Sequence, residues 1–387
     1  MKLKSQLNSQ IFTQDSQELA FRKKFERWLE KNFSQFKNKS DWYSTDFEKK
    51  TKSIEKWQLK LYQAGWMCVS WPKKYGGQSL PLHYEQIVAD LLAQYNAPYC
   101  CNYPAIQAVG KMILDYGSDE QKEKYIRPII SGQLQSCICF TESKHGVNFV
   151  NNETQAAFKN GRYILAGTKI WSSHSPISKL AVVMAQTNQN GSAEFSTTMF
   201  LVDLNKKGIQ INPFKITNDE LFYGEIIFDQ VELEEKDILG HLNSGWLILS
   251  TTWMNEAHTP FDVPLRLNYK KLLQAGKKRK YFSDDAIDAM VHAEAIRLMS
   301  YQALKDPTSQ DTYRLNSPIL KIAYTECLQK IAESGKDYSD PETSLRTIQD
   351  SNQWDYQYLS SKAESIARAP NEIHRNYLIK MFLKAKS

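Results

Sequence analysis

From Leu61 to Leu80 the chain reads L-Y-Q-A-G-W-M-C-V-S-W-P-K-K-Y-G-G-Q-S-L. Two breaks stand close together in it, Trp71-Pro72 and Gly76-Gly77. Proline fixes its own φ and pushes the preceding residue out of the helical region, and paired glycines mark a turn. On either side the pattern is helical. Apolar residues recur three and four apart around Phe21, Phe25, Trp28 and Leu29, and again around Ile87, Val88, Leu91 and Leu92. A further break falls at Gly117, and Ser118-Asp119-Glu120-Gln121 reads as a helix start, with Ser118 capping and Gln121 at the reciprocal position. Residues 1–135 therefore read as an N-terminal helical domain.

Beyond it the periodicity changes twice. Ser136 to Phe140, Tyr163 to Leu165, Leu180 to Ala185, Thr197 to Val202 and Glu225 to Phe228 are short apolar or β-branched runs. Turn residues such as Lys159-Asn160-Gly161 and Asn188-Gln189-Asn190-Gly191 separate them. Residues 136–240 read as a small antiparallel sheet domain. From Gly245 the helical period returns, with long helices expected over Trp246 to Glu256, Asp285 to Ala303, Ser317 to Ala332 and Asp355 to Ala367. Four such helices make a bundle over 241–387. The expected class is α+β and mostly α: an N-terminal helical domain, a central β-barrel-like domain and a C-terminal four-helix bundle.

Composition narrows the function. The 387 residues are 42% hydrophobic and 24% charged, ordinary for a globular chain with a sizeable core. The net charge of +6 favours an anionic ligand such as a nucleotide or CoA. No basic block interleaved with aromatics suggests a nucleic-acid groove, and Lys277-Lys278-Arg279-Lys280 reads as a solvated loop or helix end. Cys68, Cys100, Cys101, Cys137, Cys139 and Cys327 have neither paired C-x-x-C spacing nor a nearby histidine at zinc spacing, so free thiols and no metal are expected. Cys137 and Cys139 alternate in an apolar run, which reads as strand core. The first ten residues, M-K-L-K-S-Q-L-N-S-Q, hold no apolar signal core, and no run is apolar enough to span a membrane. A cytoplasmic location is the expectation.

Five motifs then resemble, in order, those of the acyl-CoA dehydrogenase family. The opening stretch is similar to L-x-x-A-G-W-x-x-x-x-W-P-x-x-Y-G-G. Asp115 to Gly132, D-Y-G-S-D-E-Q-K-E-K-Y-I-R-P-I-I-S-G, resembles Y-G-T-E-E-Q-K-x-x-Y-L-P-x-I-x-x-G. Lys169 to Ser173, K-I-W-S-S, resembles K-I-W-T-S. Val231 to Trp246 resembles V-x-V-P-x-x-N-L-L-G-x-x-x-x-G-W. Tyr358 to Asn376 resembles Y-x-S-R-A-x-T-I-A-G-G-T-S-E-I-Q-R-N. The likeness runs over about residues 55 to 387.

The resemblance implies FAD and an acyl-CoA thioester. Ile138 to Asn148, I-C-F-T-E-S-K-H-G-V-N, stands where the family has a flavin-lining strand followed by T-E-P-x-x-G-S-D. It places Cys139, Thr141 and Gly146 beside the cofactor, and Val147 and Asn148 where a serine and an aspartate meet the ligand. Trp171 would shield the ring face, and Ser173 would donate to its pyrimidine or N5 side. Arg368 and Glu372, in the segment similar to A-G-G-T-S-E, are implied cofactor contacts. Removing an α-proton from a thioester needs a carboxylate in a dry pocket. At one of the family's two base positions this chain has Arg368, which cannot act as a base near neutral pH. Glu256 falls on the other, in T-T-W-M-N-E-A. The implied activity is α,β-dehydrogenation of an acyl thioester, with an electron-transfer flavoprotein as acceptor. The implied assembly is a homo- or hetro-oligomer with a related chain. A non-catalytic or half-site subunit, and a flavin monooxygenase or oxidase of the same fold, are the alternatives. Val147, Asn148, Arg368 and Pro370, which replace family residues, favour the half-site.

Overall fold

The computed structural model describes residues 15–384 apart from 35, 37, 38, 45, 148–151, 189–194, 218–220, 257–261, 306–309 and 340–353. Helix α1 (Ser16–Phe33) begins at Asp15, whose carboxylate accepts the Gln17 and Glu18 N–H groups. Helix α2 (Phe47–Gln63) begins in the same way at Asp46, which accepts from Lys49. Trp57 of α2 is fully buried, and its indole N–H donates to the Pro98 carbonyl at 3.0 Å. That bond ties α2 to the chain leaving α3 (His83–Gln94).

The Trp71-Pro72 and Gly76-Gly77 breaks close into a compact turn. A Cβ on Gly77 would run into the Trp71 carbonyl, and one on Gly110 into the Trp71 indole. Trp71 is thus a wedge, and both glycines stand where its surface passes too close for a side chain. Gly110 opens α4 (Gly110–Tyr116), and a single π-helical turn, Ala105–Val109, runs directly into it. Helix α5 (Asp119–Ile130) starts with the expected capping box between Ser118 and Gln121.

Eight strands follow: β1 (Ser136–Cys139), β2 (Gln155–Lys159), β3 (Arg162–Ser173), β4 (Leu180–Gln186), β5 (Thr197–Asp203), β6 (Ile209–Phe214), β7 (Tyr223–Leu233) and β8 (Ile238–Leu239). They form one sheet in the order β6-β7-β3-β2-β4-β5-β8, with β1 beside β4. Asn160 and Gly161, both left-handed, make the β2–β3 turn. The expectation of an antiparallel sheet needs correction around β4, which β2 meets in parallel at Gln155 and Gln186 and which β1 also flanks in parallel. Strand β1 lies with Ser136 opposite Leu180, because the β2–β3 hairpin intervenes and returns the chain in the same direction. Strand β3 shifts register against β7 between Lys169 and Ser172.

Six helices complete the described chain: α6 (Gly245–Glu256), α7 (Asp262–Arg279), α8 (Asp284–Lys305), α9 (Gln310–Lys336), α10 (Trp354–Glu364) and α11 (Asn371–Lys384). The bundle is made by α7, α8 and α10 around α9, and α11 also packs on α9. Its core includes Leu265, Leu272, Ile296, Leu328 and Ile331. Helix α6, expected within the bundle, instead packs on β5 and α4. Its Ile248 and Leu249 join the core that runs from Trp57 across the sheet face at Val182 and Met199.

Candidate functional site

A cavity of about 1290 Å³ opens where the N-terminal helices, the sheet and the bundle meet. Its walls come from α2, from residues 96–107, from the end of β1 and the loop after it, from the end of β3, and from α7 and the segment after α10. Thr141, Gly146, Val147, Trp171, Ser173 and Arg368, which the motif resemblance nominated, all line it. Six cations, Lys50, Lys215, Lys270, Lys271, Lys362 and Arg368, stand on its walls against one carboxylate, Glu364, among the described lining residues. The cavity therefore suits a ligand with a flat or apolar body and an anionic tail.

Trp171 occupies the register shift in β3 and has φ +60°, a conformation that a bulky residue rarely adopts. The shift turns its indole outward, so that it is 55% exposed and stands edge-on to Phe214 and Tyr223. Ser173 and His174 follow it on the cavity wall. A half-exposed indole beside the hydroxyls of Ser173 and Thr141 makes a platform for a planar ring with polar edges, which fits an isoalloxazine.

A buried ion pair fixes that platform from behind. Lys169, two residues before Trp171, is 0% exposed and donates to Glu142 Oε1 at 2.8 Å, Asn152 Oδ1 at 3.0 Å and the Phe140 carbonyl at 3.2 Å. Glu142 also accepts the Glu153 and Thr154 N–H groups at 2.6 and 2.8 Å. Burial pushes the Glu142 carboxyl up, but Lys169 and these donors outweigh it and hold it below the usual carboxylate range. Burial lowers the Lys169 ammonium against the pull of Glu142. Thr141, next to Glu142, accepts the Ile170 N–H at 2.9 Å, so both cavity strands are held in one register.

His174, also left-handed at φ +62°, is wedged edge-on between Phe47 and Phe222 at ring distances of 5.2 and 4.4 Å. Burial, helped by the nearby Lys50 charge, lowers its pKa to about 3. It is a neutral ring at any working pH.

Arg368 and Ala369 have φ of +56° and +68°, where the similar family segment has two glycines. The backbone keeps the glycine-type conformation without glycine. Arg368 pairs with Glu364 at 2.7 Å. Behind this segment Lys321, 3% exposed, donates to Asn371 Oδ1 at 2.7 Å and the Ser365 carbonyl at 3.1 Å. Burial, then the Arg368 charge, brings its pKa down to about 8.

Other expected residues stand apart. Cys139 turns its thiol into the sheet core, where Ser172 donates to it at 3.4 Å, and it is not on the cavity wall. Glu372 is exposed on α11, 3.5 Å from Arg375, and is not on the cavity wall. Asn148 lies outside the described residues, as does the side chain of Glu256, the last residue of α6. Sequence reading passed over His174 and the pairing of Lys169 with Glu142. Each residue of the pair sits inside a motif already singled out, but their pairing depends on strand register, which local pattern does not give. All six cysteines are free and buried, and no helix among the described residues is long and apolar enough to cross a membrane.

An exposed indole and six cations thus line one cavity where three parts of the chain meet. Two family profiles match in tandem: Acyl-CoA dehydrogenase, N-terminal domain, over residues 15–133, and Acyl-CoA dehydrogenase, middle domain, over residues 137–231. The chain belongs to the acyl-CoA dehydrogenase family, whose members bind FAD. It is 21% identical to acyl-CoA dehydrogenase IpdE1 of Mycolicibacterium smegmatis, over 84% of this chain and 87% of that protein. It is 31% identical to acyl-CoA dehydrogenase FadE34 of Mycobacterium tuberculosis, over 52% of this chain and 28% of that protein. The Tcur3481-Tcur3483 steroid ACAD has the same fold, with a TM-score of 0.81 at 16% identity over 96% of this chain and 98% of that one. The ChsE4-ChsE5 complex of Mycobacterium tuberculosis aligns with a TM-score of 0.77 at 17% identity, over 95% and 97%.

Proposed function

We propose that this chain holds FAD in the 1290 Å³ cavity and acts on an acyl-CoA thioester at its α and β carbons. The carrying observation is Trp171, turned out of β3 beside Thr141 and Ser173 and fixed from behind by the Lys169–Glu142 pair. FAD bound there supplies the acceptor for the hydride that leaves Cβ. Trp171 covers the ring, and the Thr141 and Ser173 hydroxyls donate to its polar edge. Glu256 takes the α-proton, and α6, which carries it, is seated against α4 and the π-helical turn. Cations of the cavity wall hold the phosphates. An electron-transfer flavoprotein is the proposed electron acceptor.

The test is the visible spectrum of the purified chain. Flavin absorbance bleached by an acyl-CoA is the expected result. Glu256→Gln should keep the colour and lose the bleaching; unchanged reduction kinetics in that variant would remove Glu256 from the mechanism. Bleaching by NAD(P)H with oxygen consumption would point to an oxygenase instead.

One set of observations favours a second reading, a subunit sharing its site with a related chain. Arg368 stands where a carboxylate is implied, and α11 leaves Ile373, Tyr377, Ile379, Phe382 and Leu383 exposed. The similar ChsE4-ChsE5 structure is that of a complex. On this reading the chain alone is colourless and takes up FAD only when a related chain is added.

A further inference from the structure

Gln107 is the middle residue of the π-helical turn Ala105–Val109. Such a turn fits an extra residue into a helix and recurs at functional sites. Here it is held at both ends. Asn102 accepts the Ala105 N–H at 2.8 Å while its own amide donates to the Ser136 carbonyl of β1 at 3.0 Å. Beyond the turn, the Trp71 indole presses on Gly110. The turn packs against β1 and α6, so it touches both the strand leading into Thr141 and the helix carrying Glu256.

Gln107 is 6% exposed and lines the cavity. Among the described residues no group hydrogen-bonds its side-chain amide, and neither amide atom is sealed from the cavity. Two other glutamines buried in this half of the molecule are bound to the backbone. Gln58 donates to the Ile129 and Ile130 carbonyls and accepts from Cys101, and Gln121 donates to the Lys236 and Ile238 carbonyls. An amide with no protein partner that opens on the cavity is free to meet a polar group of a ligand. The turn, A-I-Q-A-V, carries no charge, and the cations lie on other wall segments. The matching ligand group is therefore neutral. Nearby wall residues Tyr103, Ile138 and Val147 pack against the apolar core, so the body around that group is apolar.

We propose that Gln107 is a specificity-determining residue, its amide receiving a ketone or hydroxyl oxygen on an otherwise apolar acyl group. This rests on the acyl-thioester reading above. The test titrates the full chain, with FAD present, against cyclohexylpropanoyl-CoA and its analogues carrying a ketone at each ring position in turn, by calorimetry. At least one ketone should bind roughly tenfold tighter than the unsubstituted thioester. Gln107→Met should erase that ratio by weakening the ketone alone, and Gln107→Asn should restore part of it. Equal affinities in the wild type, or a ratio that survives Gln107→Met, overturn the assignment and leave the acyl-thioester reading standing. Equal wild-type affinities overturn the assignment even if Gln107→Met does not fold, and Gln107→Asn then carries the attribution to Gln107. If no thioester binds, the acyl-thioester reading falls and this assignment with it.

Discussion

Trp171, His174, Arg368 and Ala369 are all left-handed and all line one cavity. Backbone strain of this kind collects at functional sites and costs about 1–2 kcal/mol for each non-glycine residue. Ala369→Gly removes that strain and adds about 0.5–1 kcal/mol of backbone entropy cost. The expected net is a gain of up to about 1.5 kcal/mol, read by urea denaturation. Arg368→Gly should be nearer neutral, since it also gives up a partly exposed ion pair with Glu364. His174 gives a prediction with a definite sign. Its pKa is about 3 in the fold, against about 6.5 when unfolded. Between these values the unfolded chain binds a proton that the fold refuses. Stability from this group therefore falls as pH drops below about 6.5, by up to about 1.4 kcal/mol per pH unit, and is unaffected above it. His174→Phe, set between Phe47 and Phe222, should flatten that part of the pH–stability curve; an unchanged slope would show that other groups carry it.

At the scale of elements, the Lys169–Glu142 pair joins β3 to the loop after β1 with no exposed lysine surface. Removing one partner strands the other charge, so Lys169→Met should cost about 3–5 kcal/mol. Glu142→Gln keeps most of the acceptor geometry and should cost less. The double variant should cost clearly less than the sum, because neither charge is then stranded; additive costs in a denaturant double-mutant cycle would mean the two act independently. This pair also marks how far sequence could reach. The elements themselves were readable: the Ser118–Gln121 capping box, the core strands β1, β4 and β5, and the helices α8 to α10 follow from local pattern. Thr141, Trp171 and Ser173 were readable as a set because motifs carry them. The charge pairing across the motifs was not, since it depends on register. Helix α7 escaped because its sequence, D-V-P-L-R-L-N-Y-K-K-L-L-Q-A-G-K-K-R, is polar with a weak apolar stripe and buries only part of its surface. The π-helical turn escaped because nothing in A-I-Q-A-V distinguishes it from an ordinary helix; Asn102 and the Trp71 wedge impose it.

Across the whole molecule, the cavity's shape depends on how the bundle is seated on the N-terminal helices. Their large apolar cores are separate. Much of what joins them is polar. Glu18 of α1, fully buried, accepts the Tyr301 hydroxyl of α8 at 2.7 Å and lies 3.1 Å from His83 and 3.2 Å from Lys305. Arg266 of α7 pairs with Asp90 of α3, and Lys270 donates to the Gln94 carbonyl at 2.6 Å. The apolar share is small, Leu267 packed on Ala89 and Ala93. No local pattern announces that residue 18 meets residue 301, so this joint was invisible in the sequence. Burial lowers the pKa of His83 more than Glu18 raises it, which leaves Lys305 as the cation facing Glu18 at neutral pH. Hydrogen bonds to a buried charge are each worth about 1.5–3 kcal/mol, whereas the small alanine–leucine contact offers little to replace them. Tyr301→Phe should therefore loosen the joint by about 2 kcal/mol without touching either core. Hydrogen exchange should show amides of α8 and of α1 opening at lower free energy, while amides of β4 and β5 keep their wild-type protection. If the sheet amides weaken equally, the joint is not separable and the molecule unfolds as one unit.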